Sequence, residues 1–204
     1  SFYFLVFYGI VLILYYVLPK RWQWGVLLIA SIFYYLCSGN AILILYPLLA
    51  VAVSFAGIYW MTKAQEEEAL LKERGKDAAK RRKAALLFVI FANVAVLFLL
   101  KYINFGIHTI NAAASFFGAG RDILSGFNWL VPLGISYYSL SLIGYVVDVY
   151  FGIAVPQKNP AKLALYGMFF PVMVSGPILR YREDGEQFFE PHLFDYKQVT
   201  QGMQ

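Results

Sequence analysis

An all-α, polytopic transmembrane helical domain is predicted by three features of this sequence. The chain of 204 residues is 60% hydrophobic and 19% aromatic, with a mean hydropathy of +0.61, whereas soluble domains run at roughly 45–50% apolar. Its apolar residues are gathered into runs that approach or exceed the ~18 residues expected of a spanning helix. Such runs are too long for the ~9–11 residues of a barrel strand, and in lipid each helix satisfies its own backbone polar groups.

Six apolar segments can be drawn: Phe2–Leu18, Trp22–Cys37, Ala41–Met61, Ala84–Leu100, Trp129–Phe151 and Leu163–Leu179. The first resembles a signal peptide only superficially. It has no basic region before it, and Lys20, Arg21 and Trp22 follow where a small-residue cleavage site would be needed, so it reads as a retained helix. Cys37, the single cysteine, closes the second segment; it has no partner for an internal disulfide and reads as a small packed hydrophobe. Ser38, Gly39 and Asn40 mark a turn. Pro47 is expected to kink the third segment. Trp22, Trp24, Trp60 and Trp129 all lie near segment ends, as interfacial anchors do. Ile110 to Phe117 reads as a short amphipathic helix along the membrane surface, and Gly118, Gly120, Ser125 and Gly126 as a flexible approach to Trp129. The sixth segment contains Pro171 and then Gly176-Pro177, so it is either a span, two half-helices or a re-entrant element.

The charges set an orientation. Lys63 to Lys83 is a polar connector holding eight of the 17 basic residues. Glu68–Lys72 and Asp77–Arg81 have helical i,i+4 spacing, and Gly75 divides the stretch, so the third and fourth segments can extend beyond the membrane and turn there. Lys20, Arg21, Lys158 and Lys162 fall on the same side of a six-span arrangement. That side is expected to be cytoplasmic, with the N-terminus outside. Arg180, Arg182 and Lys197 lie on the opposite side if the sixth segment spans, and return to the cytoplasmic side if it re-enters. The net charge of +5 is accounted for by these loops and does not argue for nucleic acid as a partner.

The most informative stretch is LVPLGISYYSLSLIGYVVDVYFG, Leu130 to Gly152, in which an apolar run carries Pro132, Gly134, Gly144 and Asp148. FFPVMVSGPILRYR, Phe169 to Arg182, follows. Helix breakers at membrane depth are tolerated where protein or a water-filled cavity supplies partners, and an intramembrane acid is a functional-site candidate by default. These residues resemble the membrane-bound O-acyltransferase family, in its bacterial alginate O-acetyltransferase and D-alanyl transfer branch. That branch shows P-L-G-I-S-F-Y-T-F, then Y-x-x-D-V-Y-R-G, then F-F-P-x-x-x-x-G-P-I-x-R. The resemblance extends upstream through LLKYINF (Leu99 to Phe105) and LLIASIFYYL (Leu27 to Leu36), and downstream to HLFDY (His192 to Tyr196).

The resemblance implies one membrane-embedded domain over residues 1–204, the N-terminal portion of a partial acyltransferase fold with broken or re-entrant helices near its C-terminal end. It implies transfer of an acyl group, by expectation acetyl, from a cytoplasmic donor (acetyl-CoA or an acyl carrier protein) to a hydroxyl of an extracytoplasmic polysaccharide or cell-wall polymer. The setting is the inner membrane, with lipid and a polysaccharide or partner acyltransferase as partners and no bound cofactor. Pro132, Gly134, Ser136, Tyr137, Asp148, Pro171, Gly176, Pro177 and Arg180 are the candidate cavity and motif residues. The family attributes its chemistry to a histidine in a later apolar segment, so the general base is expected beyond Gln204. His108 and His192 lack that context.

Asp148 has no basic residue at helical spacing. It is either hydrated at the helix end or paired with Arg180 or Tyr181. Arg180 and Arg182 either cap a half-helix or meet the donor. Ser136, Ser139, Ser141, Tyr137 and Tyr138 line the fifth segment with hydroxyls, but no G-x-S-x-G context supports a serine nucleophile. The family carries Thr and then Gln after its Phe-Tyr pair; Ser139 and Ser141 occupy that stretch here, which removes any contact made by the Gln side chain. Two isolated histidines and one cysteine offer no metal-ligand spacing. A transporter or channel, and a non-catalytic membrane assembly subunit, remain alternative readings, since broken helices around a midplane site also describe transporters.

Overall fold

The computed structural model describes residues 2–37, 39–70, 75–116, 131–173, 176, 178–185, 187–190 and 192. Seven α-helices occur among them: α1 (Phe2–Val17), α2 (Gln23–Cys37), α3 (Leu45–Leu70), α4 (Gly75–Phe116), α5 (Ile135–Tyr150), α6 (Pro160–Met168) and α7 (Phe170–Met173). No strand is present among the described residues.

Helix ends follow local chemistry. Pro19 stops α1 because the residue before a proline is driven out of the helical region. A 3-10 turn, Lys20–Trp22, then leads directly into α2. Asn40 starts the next segment: its side-chain oxygen accepts from the Ile42 N–H at 3.1 Å and opens a 3-10 turn, Ala41–Ile44, continuous with α3. Pro47 therefore sits in the first turn of α3 rather than kinking its middle. In the first turn the missing N–H would have had no helical acceptor anyway. Cys37 is exposed at the last position of α2, not packed as expected.

The helix α4 departs furthest from expectation. Its 42 residues run through Leu100 and absorb the stretch expected to lie on the membrane surface, as far as Phe116. At 1.5 Å per residue this is about 63 Å, roughly twice the hydrocarbon thickness. Nothing in the sequence stops it. Lys101 donates to Ser136 Oγ at 3.1 Å, Thr109 bonds back to the Phe105 carbonyl at 2.9 Å, and Gly106 faces open space. The glycine-rich approach to Trp129, and Trp129 itself, lie outside the described residues.

Helices α3 and α4 form an antiparallel hairpin. Arg81 reaches Glu67 at 3.2 Å and Arg82 reaches Glu68 at 3.9 Å, both across the hairpin. Arg81 thus bonds the facing helix instead of Asp77 four residues earlier; Lys72 lies outside the described residues. Ala41–Glu68 and Asp77–Ile103 are long and apolar enough to cross a membrane, and only 28% and 22% of their most apolar windows are buried. A core helix of a soluble protein would be mostly buried. The exposed Leu49, Trp60, Phe88, Phe91 and Phe98 instead present apolar surface, well beyond what soluble proteins leave uncovered. This is the surface of a membrane protein.

The principal core lies where α3, α4, α5 and α6 meet, around Ile58, Val89, Leu142, Val146 and Leu163. Gly57 permits the closest approach of α3 and α4, because a Cβ there would overlap Val89 Cγ2. Small residues at such crossings are the usual basis of helix packing in lipid. Gly57→Leu is expected to destabilise the hairpin by ~1–3 kcal/mol through overpacking, with partial recovery on adding Val89→Ala. Thermal unfolding in detergent measures this; a wild-type midpoint for Gly57→Leu would show the crossing to be loose.

Candidate re-entrant site

The sixth apolar segment is broken, and its two ends lie close together. Asn159 caps α6, its side chain accepting from the Ala161 N–H at 2.9 Å, with Pro160 at the first position. The helix breaks at Phe169, whose ψ of 109° is extended, and resumes for the single turn of α7. Pro171 sits in that turn, where it needs no helical acceptor. Phe170 is wedged among Phe4, Phe7, Tyr8 and Tyr34, and its N–H donates to Ser31 Oγ at 3.3 Å. At its deepest point Met173 packs on Gly134, at the N-terminus of α5.

The chain then comes back. Gln157 Nε2, just before α6, donates to the Tyr181 hydroxyl at 2.9 Å. Lys162 lies 4.5 Å from the centre of the Phe189 ring. Residues 157–162, 181–185 and 187–189 thus share one end of the bundle, the end at which Arg81 and Arg82 bridge α4 to α3, since Arg82 Nη2 also donates to the Tyr150 carbonyl at 3.0 Å. Arg180 and Arg182 accordingly lie at the same end as Lys158 and Lys162.

Two sequence motifs meet in this hairpin. Gly134 has φ +68°, the left-handed region, and a Cβ there would lie 2.6 Å from Met173 Cγ and 2.7 Å from Met173 O. Only glycine satisfies both demands. Tyr166 shares its hydroxyl hydrogen between Leu179 O at 2.7 Å and Ser141 O at 3.3 Å, tying the returning segment to α5. The Tyr137 hydroxyl lies beside Ser141 Oγ and Leu179 O, and both Tyr137 and Ser141 are buried. A buried hydroxyl needs polar neighbours, and these three groups form a polar point between α5 and the returning segment.

Other candidates are dispersed. Pro132 is buried just ahead of α5, and its carbonyl accepts from the Ile135 N–H at 3.4 Å. Ser136 accepts from Lys101. Gly176 donates to Val172 O at 2.8 Å, and a Cβ on it would overlap Val172. Pro177 lies outside the described residues. Gly144 lies within the unbroken α5, so it interrupts nothing.

Asp148 and Arg180 do not pair. Arg180 is exposed and reaches Glu183 at 3.8 Å, while its backbone N–H donates to Asp184 Oδ2 at 3.2 Å. A partner three residues away fixes less chain than one on another helix, and that local pair wins. Asp148 is half-buried in the last turn of α5; its carbonyl accepts from Ile153 and Ala154 N–H, closing the turn that carries Gly152 at φ +74°.

His108 is exposed on α4. His192 is a strut: Nδ1 bonds the Tyr15 hydroxyl at 3.0 Å, and Gln23 bridges its backbone N–H and carbonyl, each at 3.0 Å. The residues missed from the sequence are the tyrosines of the hairpin. Tyr145 donates to Val155 O at 2.8 Å and accepts from the Gln157 N–H at 2.7 Å, and its ring lies 4.0 Å from that of Tyr181. A tyrosine within an apolar run has to find a polar partner for its hydroxyl; that signal was available at Tyr145 and Tyr166.

No family model matches the chain, and no solved structure matches it. Curated relatives do. The probable alginate O-acetylase AlgI of Pseudomonas putida is 31% identical over 187 residues, covering 90% of this chain and 35% of that protein. The Pseudomonas aeruginosa protein of the same name is 30% identical over 190 residues, covering 90% of this chain and 32% of its own length. That of Pseudomonas syringae pv. tomato is 37% identical over 103 residues, 50% of this chain and 20% of that protein. The chain thus spans about a third of the length of the relatives that match most of it.

Proposed function

Because the chain belongs to the alginate O-acetylase branch of the membrane-bound O-acyltransferases, we propose that it forms part of the membrane core through which an acetyl group passes to a hydroxyl of an extracytoplasmic polysaccharide. The donor in this reading is a cytoplasmic thioester, acetyl-CoA or an acyl carrier protein. The acceptor is alginate, as the relatives' names suggest, or a partner acyltransferase that hands the group on. The supporting observation is the meeting of two motifs: Gly134 packs on Met173, and the buried hydroxyls of Tyr137 and Ser141 lie beside Leu179.

In the proposed transfer the acyl carbon–sulfur bond breaks and a carbon–oxygen bond forms. The acceptor hydroxyl gives its proton to a general base, and the thiolate leaves. Tyr137 and Ser141 are assigned to orienting the acyl group by donating to its carbonyl oxygen as it passes. The base is assigned to the part of the family that this chain does not match. His192 is a poor base because its ring and backbone are already engaged.

The test is transfer of labelled acetyl from donor to alginate by the natural full-length protein in vesicles. Tyr137→Phe and Ser141→Ala are each expected to lower kcat/KM by about tenfold, the kinetic equivalent of one hydrogen bond of ~1.4 kcal/mol, with folded yield unchanged. Residues 1–204 alone are expected to transfer nothing. Robust turnover by that piece, abolished by His108→Ala or His192→Ala, would move the catalytic centre into this chain. A full-length protein that transfers no acetyl would end the reading.

A further inference from the structure

A second site lies away from the re-entrant motifs, at the basic end of α3. A cavity of about 450 Å³ opens between α3 and the strap after α5. Phe55, Ile58, Tyr59 and Thr62, spaced on one face of α3, form its floor. Pro156 and Gln157 form the opposite wall. That wall is fixed before any ligand arrives: Gln157 accepts from the Asn159 N–H, donates from its side chain to Tyr181, and donates from its backbone to Tyr145.

Two cations, Lys63 and Lys158, flank the mouth from opposite walls. Both are exposed, and neither makes an ion pair with a described residue. Glu66 also lines the cavity, and the two lysines leave it net positive. One turn below Lys63, Tyr59 and Trp60 are 57% and 56% exposed, the aromatic level at which a helix meets the headgroup region.

We infer that this cleft binds one anionic phospholipid, its headgroup phosphate held between Lys63 and Lys158 and one acyl chain laid along Phe55 and Tyr59. The apolar floor is what selects a lipid over a soluble anion. A free phosphate would gain the two lysines and nothing from the aromatic floor. The net positive mouth selects an anionic headgroup over a choline headgroup, whose own ammonium would face the lysines. Basic pockets between membrane helices bind such headgroups by the same physics. The inference rests on membrane embedding and not on acyl transfer.

The natural full-length protein, reconstituted in vesicles of phosphatidylcholine with or without phosphatidylglycerol, is extracted gently and its retained lipid counted by native mass spectrometry. One phosphatidylglycerol per chain is expected to survive where phosphatidylcholine does not. Lys63→Gln and Lys158→Gln are each expected to weaken retention by about fivefold, and by about 25-fold together. Lys63→Arg with Lys158→Arg retains the lipid, and Lys80→Gln, a charge at the same end but off the cleft, leaves retention unchanged. Equal retention of phosphatidylcholine overturns the inference, as does undiminished binding by the double Gln variant. Displacement of phosphatidylglycerol by inorganic phosphate also overturns it, because the site would then recognise a soluble anion. Acetyl transfer is not the readout, so failure here leaves the acyltransferase reading intact, and the reverse holds too.

Discussion

Gly134→Val is expected to cost the protein about 2–5 kcal/mol, enough to remove most folded material from a membrane domain of ordinary marginal stability. Two penalties add. A left-handed backbone at φ +68° costs a residue with a Cβ ~1–2 kcal/mol. The new side chain also meets Met173, whose Cγ and backbone oxygen lie 2.6 and 2.7 Å from the Cβ position, and overpacking of this kind costs ~1–3 kcal/mol. Met173→Ala in the same background clears the side chain but not the carbonyl, so it restores only part of the loss. Gly144→Ala is the internal control. The same motif region carries Gly144, yet it is helical with nothing within 4 Å of its Cβ position. That change is expected to be neutral or stabilising by up to ~1 kcal/mol. Unfolding midpoints of the three variants decide the matter. A Gly134→Val protein as stable as wild type would mean that the two motifs do not meet here.

The helical class was legible because composition and run length leave little else in lipid. The end of α2 was legible from the turn signal of Ser38, Gly39 and Asn40, whose effect is local. The end of α4 was not. Lys101 reads as a membrane boundary in a linear scan, but it is one cation with a partner, Ser136 Oγ, on a neighbouring helix. A helix ends where its backbone bonding fails, and no proline or unfavourable backbone conformation follows Leu100 to cause that. The break in the sixth segment was legible from Pro171 and Gly176. Its direction was not, because the direction is set by contacts far apart in sequence: Met173 on Gly134, and Gln157 on Tyr181. The pairing of Asp148 with Arg180 was an argument from charge without position. Two opposite charges say nothing about which nearer partner each will find, and Arg180 found Glu183.

The same hairpin makes an all-or-none prediction about sidedness. With native Cys37 replaced by Ser, single cysteines at Lys80, Lys158 and Arg182 are each expected to resist a membrane-impermeant maleimide in intact cells and to react after permeabilisation. A cysteine at Phe116 is expected to react in intact cells. All four positions are exposed, so access depends on the bilayer alone. Lys80 belongs to the stretch holding eight of the 17 basic residues, which the positive-inside rule retains in the cytoplasm. Lys158 shares its end of the bundle through the α5 terminus, where Arg82 bonds Tyr150. Arg182 is the discriminating site. A spanning sixth segment would carry it across the membrane from Lys158, whereas the bond from Gln157 to Tyr181 holds it at the same end. Phe116 lies at the far end of α4, whose ~63 Å exceeds the hydrocarbon core and puts its last turns beyond the opposite surface. Arg182 reacting together with Phe116 would eliminate the re-entrant hairpin. Lys80, Lys158 and Arg182 all reacting in intact cells while Phe116 is protected would invert the orientation and leave the hairpin standing.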